Sequence, residues 1–306
     1  MTEWSRKNWL VTGASQGFGR AFVEAILGAG GKVAALTRSP DALADLQTSA
    51  GERLRICEVD ITDQAATEAV IDQLERDFGG IDVLANNAGY GLLGGVEETS
   101  DLEARAIFEV NFFAAAALTR AVLPGMRGRR HGFIVNISSV SGVQGLPGSG
   151  YYAATKFALE GLTEALRREC RELGIGAMIV EPGPFRTGFM VASRKHTAVR
   201  IDDYTVLARR RASEASLTDD VMQDPHRGVA AILVAMQSDA PPERLPLGDW
   251  AAELVRERYK QRMDEALLWR SVAASADRPG SPPPTGDHLT PQKRVSVDAV
   301  DTEKVS

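Results

Sequence analysis

The chain has 306 residues, 44% of them hydrophobic and 25% charged, which is ordinary for one large α/β domain or two small ones. A net charge of −6 removes the electrostatic case for a nucleic-acid-binding polycation. Its two cysteines, Cys57 and Cys170, lie far apart, which argues against a disulfide scaffold or a paired-thiolate zinc site. The N-terminal "MTEWSRKNWLVTG" passes straight into a strand pattern without the apolar core of a signal peptide. No run approaches the roughly 18 apolar residues that suggest a membrane span, so the expectation is a cytoplasmic protein.

Short apolar runs alternate with helix-length segments along the chain. "NWLVTG" (Asn8–Gly13) reads as a strand and is followed by a helical stretch from Phe18 to Leu27. "KVAALTR" (Lys32–Arg38) is the second strand; after it Ser39 is placed to cap a helix with Pro40 in its first turn. "RLRICEVDIT" precedes a helical pattern from Asp63 to Phe78, and "IDVLANNAG", "GFIVNISSV" and "GAMIVEPG" continue the rhythm. "ERLPLG" (Glu243–Gly248) is a short seventh strand, with a helix opening at Gly248 and Asp249. Buried-type strands alternating with helices predict a doubly wound, Rossmann-type α/β fold, a parallel sheet of about seven strands with helices on both faces. The last stretch, 273–306, is rich in Pro, Ser, Thr and charge and is expected to be a disordered tail.

The first strand ends in "TGASQGFG" (Thr12–Gly19). Glycines at a strand-to-helix turn let backbone amides and a helix N-terminus approach a pyrophosphate. Gly13, Gly17 and Gly19 give GxxxGxG, not the GxGxxG of the common dinucleotide fingerprint. With the preceding Thr12, this spacing resembles the short-chain dehydrogenase/reductase family. Matching strings follow in the family's order: "DIT" (Asp60–Thr62), "NNAG" (Asn86–Gly89), "NISS" (Asn136–Ser139), Tyr152-x-x-x-Lys156 and "EPGPFRT" (Glu181–Thr187). The resemblance spans roughly residues 5 to 270 and is to the single-domain branch, which implies one catalytic domain over 1–272. "PPERLPLG" (Pro241–Gly248) is similar to a bacterial subgroup mostly of unassigned substrate.

That resemblance implies a nicotinamide dinucleotide as cofactor and assigns residues to it. Gly13, Ser15, Gln16, Gly17, Phe18 and Gly19 would form the phosphate turn. Asp60 and Ile61 would meet the adenine, and Asn87, Ala88 and Gly89 would line the adenosine side. Pro182, Gly183 and Thr187 would flank the nicotinamide, with Thr187 on its carboxamide. The residues themselves bear on the choice between NADP(H) and NAD(H). An NAD enzyme usually ends its second strand with an acid for the ribose 2′-hydroxyl; here Thr37 stands there and Arg38 follows. A guanidinium suits a 2′-phosphate, so NADP(H) is favoured, although Gln16 replaces the basic residue that many NADP-preferring relatives carry.

The stretch "GYYAATK" (Gly150–Lys156) holds two adjacent tyrosines. On a helix, residues four apart share a face, so Tyr152 and Lys156 are neighbours while Tyr151 points to packing or the pocket lining. Carbonyl reduction needs a proton donor for the developing alkoxide. A free tyrosine titrates at about 10, and a nearby ammonium favours the phenolate. The resemblance makes Tyr152 the general acid/base, with Lys156 depressing its pKa and binding the cofactor ribose, and Asn111 in "EVNFFAAA" placing a water beside the lysine. Family spacing selects Ser139 to polarise the substrate, with Gly142 as its marker, and leaves Ser138 and Ser141 to satisfy backbone groups. His131, His196, His226 and His288 form no metal-ligand pattern, and no GxSxG elbow is present. The rivals are a regulatory nucleotide-binding protein without turnover and an NAD-dependent alcohol dehydrogenase working oxidatively.

Ligands of such folds sit beyond the carboxyl ends of the strands. Leu92, Leu93, Val143, Leu146, Pro147, Phe185, Phe189 and Met190 are the candidate apolar walls for a ketone or alcohol, or equally packing residues. The lid segment 188–222 carries Arg194, Lys195, Arg200, Arg209, Arg210 and Arg211, which suits an acidic thioester or a solvated, mobile lid. The resemblance further implies a homodimer or homotetramer, pairing through the helix around Asn111 and the Tyr152 helix.

Overall fold

Each central strand consists almost wholly of buried side chains, because the sheet is covered on both faces. In the computed structural model, which describes residues 4–187, 193–215, 222–278 and 280, the main sheet has seven parallel strands. They are β1 (Asn8–Thr12), β2 (Lys32–Thr37), β3 (Leu54–Glu58), β4 (Val83–Asn86), β6 (Gly132–Ile137), β7 (Ile175–Pro182) and β9 (Arg244–Leu247), in the order β3-β2-β1-β4-β6-β7-β9. A separate parallel pair joins β5 (Gly91–Leu93) to β8 (Arg194–His196), with Gly91 opposite Arg194. This small pair has no counterpart in the sequence expectation. The order reverses between β1 and β4, so the crevice for a nucleotide opens beyond the carboxyl ends of these two strands.

Successive strand residues point to opposite faces, and two cores result. Trp9 and Val11 of β1 pack with Phe22 and Ile26 of α1 (Gly17–Gly28) and Ile232 of α8 (Pro225–Met236). Leu10, between them, enters the other core with Ile71 of α3 (Gln64–Phe78), Leu118 of α5 (Ala114–Arg129) and Leu166 of α6 (Gly150–Glu169). The remaining helices are α2 (Ala44–Ala50), α4 (Asp101–Phe108), α7 (Thr205–Ala215), α9 (Asp249–Leu268) and α10 (Arg270–Ala274).

Several boundaries differ from the sequence reading. Ser39 precedes a 3₁₀ turn, Pro40–Leu43, but its side chain makes no cap bond; its amide donates to Thr37 Oγ1 at 2.9 Å. Asp63 does cap α3, accepting from Ala66 N at 3.0 Å. The chain from Asp101 to Arg129 is one continuous helix that widens into a π turn at Glu109–Phe113. By length and composition it is the one helix among the described residues apolar enough to cross a membrane. Ile107, Leu118, Val122 and Met126 are buried, and an interior helix acquires the same composition. Helix α10 crosses the expected domain end at 272, and residues 281–306 of the expected tail lie outside the described residues.

Candidate active site

The glycine turn and the "NNAG" loop are joined by side-chain-to-backbone hydrogen bonds. Thr12 Oγ1 accepts from Asn87 N at 3.0 Å and Ala88 N at 2.9 Å, while Asn87 Nδ2 donates to Thr12 O at 2.9 Å and Gly13 O at 3.2 Å. A Cβ on Gly19 would lie 2.1 Å from Gly13 O, so backbone packs on backbone there and no side chain fits. Phe18 is buried against Phe185, their rings 4.8 Å apart, which makes it a core residue of the turn. At the start of α1, Gln16 supplies no side-chain cap and no acid stands in the first turn. The first-turn amides and the dipole of α1 are thus turned to an anion, which fits the phosphates of a dinucleotide. Gln16 Nε2 instead donates to Ser193 Oγ at 3.0 Å, and Ser15 sits half-buried beside it. Thr187 lies over Gly17.

The other expected cofactor residues lie at or just beyond the carboxyl ends of β2, β3 and β7. Asp60 Oδ1 accepts from Thr62 N at 3.0 Å and Thr62 Oγ1 at 2.8 Å, and these bonds hold its carboxyl below the usual range. Arg38 is 79% exposed and 3.8 Å from Asp60, at the rim beyond β2. Ile61 packs on the second core, Pro182 ends β7, and Gly183 abuts Trp250.

Asn111, Ser139, Tyr152 and Lys156, from three separate stretches, are brought together. Asn111 sits on the π turn and is 1% exposed. Its Oδ1 accepts from Tyr90 N at 3.0 Å, and its Nδ2 donates to Tyr90 O at 2.9 Å and Thr155 Oγ1 at 3.3 Å. A Cβ on Gly89 would lie 3.0 Å from Asn111 Oδ1 and 3.7 Å from Lys156 Nζ, so the two groups flank one point of the chain. Lys156 Nζ donates to Ile137 O at 2.8 Å and stands 5.9 Å from the Tyr152 ring centroid. Ser139 accepts from Ser141 N at 3.1 Å and hydrogen-bonds the Tyr152 phenol.

The comparisons agree with this geometry. The family model described as short chain dehydrogenase matches residues 7–198. This chain is a short-chain dehydrogenase. It is therefore an NAD(P)-dependent oxidoreductase acting on CH–OH/C=O groups. A 3-ketodihydrosphingosine reductase of Bacteroides thetaiotaomicron is 39% identical over 180 residues, 59% of this chain and 64% of the reductase. A solved short-chain dehydrogenase from Streptomyces avermitilis superposes with a TM-score of 0.83 at 38% identity, covering 89% of this chain and all of that one. Another, from Burkholderia cenocepacia in complex with NADP, gives 0.67 at 26% identity, over 86% and 98%.

The dehydrogenase's electrostatics depart from the sequence reading. Burial pushes the Tyr152 phenol up to about 12, against the opposing pull of the Ser139 hydrogen bond and the charge of Arg194. The cation that biases the phenol is thus Arg194, carried in by β8, and the phenol stays protonated at neutral pH. Burial lowers the Lys156 ammonium to about 8, opposed by the Glu160 carboxylate.

A cavity of about 240 Å³ opens beside Gly150, lined in part by Val96, Leu146, Pro147 and Leu207 with Glu97 and Tyr204 at its edge. Of the expected walls only Leu146 and Pro147 line it; Leu92, Leu93, Val143 and Phe185 are buried packing residues, and Phe189 and Met190 lie outside the described residues. The basic segment is not simply solvated. Lys195 Nζ stands 4.6 Å over the Tyr90 ring, and Arg211 pairs with buried Glu98, which also accepts from Gly95 N at 2.8 Å and Ile201 N at 2.9 Å. Ser138 does not serve the backbone as expected: it donates to Glu160 Oε1 at 2.5 Å. Sequence reasoning missed Glu98 and Glu160, and it grouped Arg194 with the basic segment without placing it beside the phenol. Only Glu160 left a signal, since it stands four residues after Lys156 and so shares its helix face.

Proposed function

We propose that the protein is an NADPH-dependent carbonyl reductase that converts an apolar ketone to a secondary alcohol. The observation that carries this reading is the convergence of Asn111, Ser139, Tyr152 and Lys156, with a largely apolar cavity opening beside Gly150 at the start of the helix that carries Tyr152 and Lys156. The cofactor, when bound, supplies the hydride. The glycine turn would hold its phosphates, Asp60 and Asn87–Gly89 its adenosine side, and Thr187 its carboxamide. Arg38, with no acid at Thr37, would take a 2′-phosphate.

Ser139 donates to the carbonyl oxygen and orients it. Tyr152 gives its proton to that oxygen, and the high phenol pKa suits the role: the group stays protonated at neutral pH, yet remains far more acidic than an alcohol. Lys156, titrating at about 8, returns a proton to the phenolate side. Asn111 ties the π turn to Tyr90 and keeps the lysine's wall in place. The cavity and a relative named for reducing a ketone support the substrate class. Two further parts are proposals of the same kind. One is a cytoplasmic location, which the free Cys57 and Cys170 suit. The other is a homodimer or homotetramer through exposed Leu102, Phe113 and Phe157; light scattering returning a monomer mass would remove it.

The test is consumption of NADPH and NADH with a panel of apolar and acidic carbonyl compounds, run beside Tyr152→Phe. Turnover with NADPH on apolar ketones that falls at least about 100-fold in the variant is the expected outcome. Undiminished activity in Tyr152→Phe would overturn the role given to that residue.

A further inference from the structure

Beneath Ser139 and Lys156 lies a cluster that the proposed chemistry does not use. Arg244 of β9 bonds Glu160 Oε2, Glu181 Oε1 at 2.6 Å and Glu164 Oε1 at 2.5 Å. Glu160 is 3% exposed and Glu181 is fully buried, whereas Glu164 reaches the surface. Two buried carboxylates on one guanidinium leave an excess of negative charge out of water, which is unfavourable unless a proton joins them. Glu181 Oε2 finds no hydrogen-bond partner, which marks where the charge is not balanced. The ionisable groups facing this point are Lys156, Glu160 and Glu164 from α6, Glu181 from β7, Arg244 from β9 and the Tyr259 phenol from α9.

The other oxygen of Glu160 faces the site. It accepts from Ser138 Oγ, the residue before Ser139. A Cβ on Gly142 would lie 1.9 Å from that same oxygen, so the 3₁₀ turn Val140–Gly142 sits directly on the carboxylate. This gives a physical reason for glycine at 142. One turn further back on α6, Lys156 has its ammonium favoured by the Glu160 charge.

We propose that Glu160, clamped by Arg244, is a positioning residue for the site, fixing the Ser138–Gly142 turn that carries Ser139 and sustaining the charge on Lys156, while Glu181 holds the proton that allows both carboxylates to share one guanidinium. The proposal rests on the reductase reading for its kinetic part but not for its proton. Burial and repulsion from Glu160 push the Glu181 carboxyl up to about 7. A raised acid contributes stability at low pH that is lost as pH rises through its folded value.

Three variants test it. In Glu181→Gln the unfolding midpoint should decline less than wild type between about pH 5 and about pH 8, because the amide mimics the protonated acid. Parallel declines would overturn the stored proton, with no assay of turnover involved. In Glu160→Gln, reduction of whichever ketone the panel yields should fall about 10-fold in kcat with KM little changed, and the basic limb of the pH profile should move down by about half a pH unit. Glu160→Asp keeps the charge but withdraws it from Ser138, so it should lose kcat while the limb stays in place. A Glu160→Gln profile superimposable on wild type would overturn the positioning role, as would a limb displaced equally in both variants. Tyr152→Phe run alongside separates the readings: if it is inactive while Glu160→Gln is unaltered, only the positioning role fails.

Discussion

The two sides of the crevice are held by different forces. On the nucleotide side, the glycine turn and the "NNAG" loop are joined by neutral hydrogen bonds involving the Thr12 and Asn87 side chains and by the close backbone approach of Gly13 to Ala88. On the substrate side, ion pairs do the joining: Arg211 to Glu98, Arg244 to Glu160 and Glu181, and the charge of Arg194 beside Tyr152. Neutral bonds between buried groups do not titrate, whereas buried carboxylates do. The phosphate turn should therefore be indifferent to pH over a range in which the substrate wall and the proton-handling groups respond to it.

Thr12→Val should have the largest effect on stability. It leaves the amides of Asn87 and Ala88 without an acceptor, at a cost of about 3 kcal/mol at any pH, whereas Thr12→Ser restores most of it. Chemical unfolding at several pH values checks this, and a pH-dependent loss would break the contrast between the two sides. Glu98→Gln should come next, with a loss of about 2 kcal/mol at neutral pH. Burial works against the Glu98 carboxylate, but the amides of Gly95 and Ile201 and the charge of Arg211 together hold its carboxyl below the usual range. A depressed acid stabilises above its ordinary pKa and loses that contribution as pH falls through the folded value. The gap between wild type and Glu98→Gln should thus close on acidification, which thermal melts follow. The smallest effect belongs to His226, a surface link between α8 and α1. Its hydrogen bond to Glu24 at 2.7 Å raises its pKa, so the link helps below the ordinary histidine range and fades as pH rises through the raised value. At 62% exposure it is worth only about 0.3 kcal/mol, and a pH-independent difference in His226→Gln would show that packing, not charge, is responsible.

The same contrast decides what a reader of the sequence can see. A close backbone approach demands particular residue types at fixed short spacings, so Thr12, Gly13, Gly19 and Tyr152-x-x-x-Lys156 are visible in the string. The seven main strands are visible for a similar reason, since burial on both faces forces unbroken apolar runs. An ion pair fixes no spacing. Glu160 and Arg244 stand 84 positions apart, Glu98 and Arg211 113 apart, and each looks like a solvated charge until the fold joins them. The β5–β8 pair is too short to leave a pattern, and with it went the position of Arg194 beside the phenol. The apolar candidates stayed open between pocket and packing because Leu92, Leu93 and Val143 are apolar whether they face a ligand or the core, and the fold buries all three.

The π turn at Glu109–Phe113 also fixes how many residues this part of the chain must have. A turn closed i→i+5 carries one residue more than an α-helical turn of the same rise. Deleting any one of those five would restore a regular helix, and each residue of a helix accounts for about 100° of rotation. The two flanking stretches would keep their buried faces, Ile107 on one side and Leu118, Val122 and Met126 on the other, because the wide turn absorbs the extra residue locally. The extra residue works as a local spacer: it gives the amide of Asn111 its place against Tyr90 and Thr155, and a one-residue deletion there would displace that amide while leaving the rest of the helix seated.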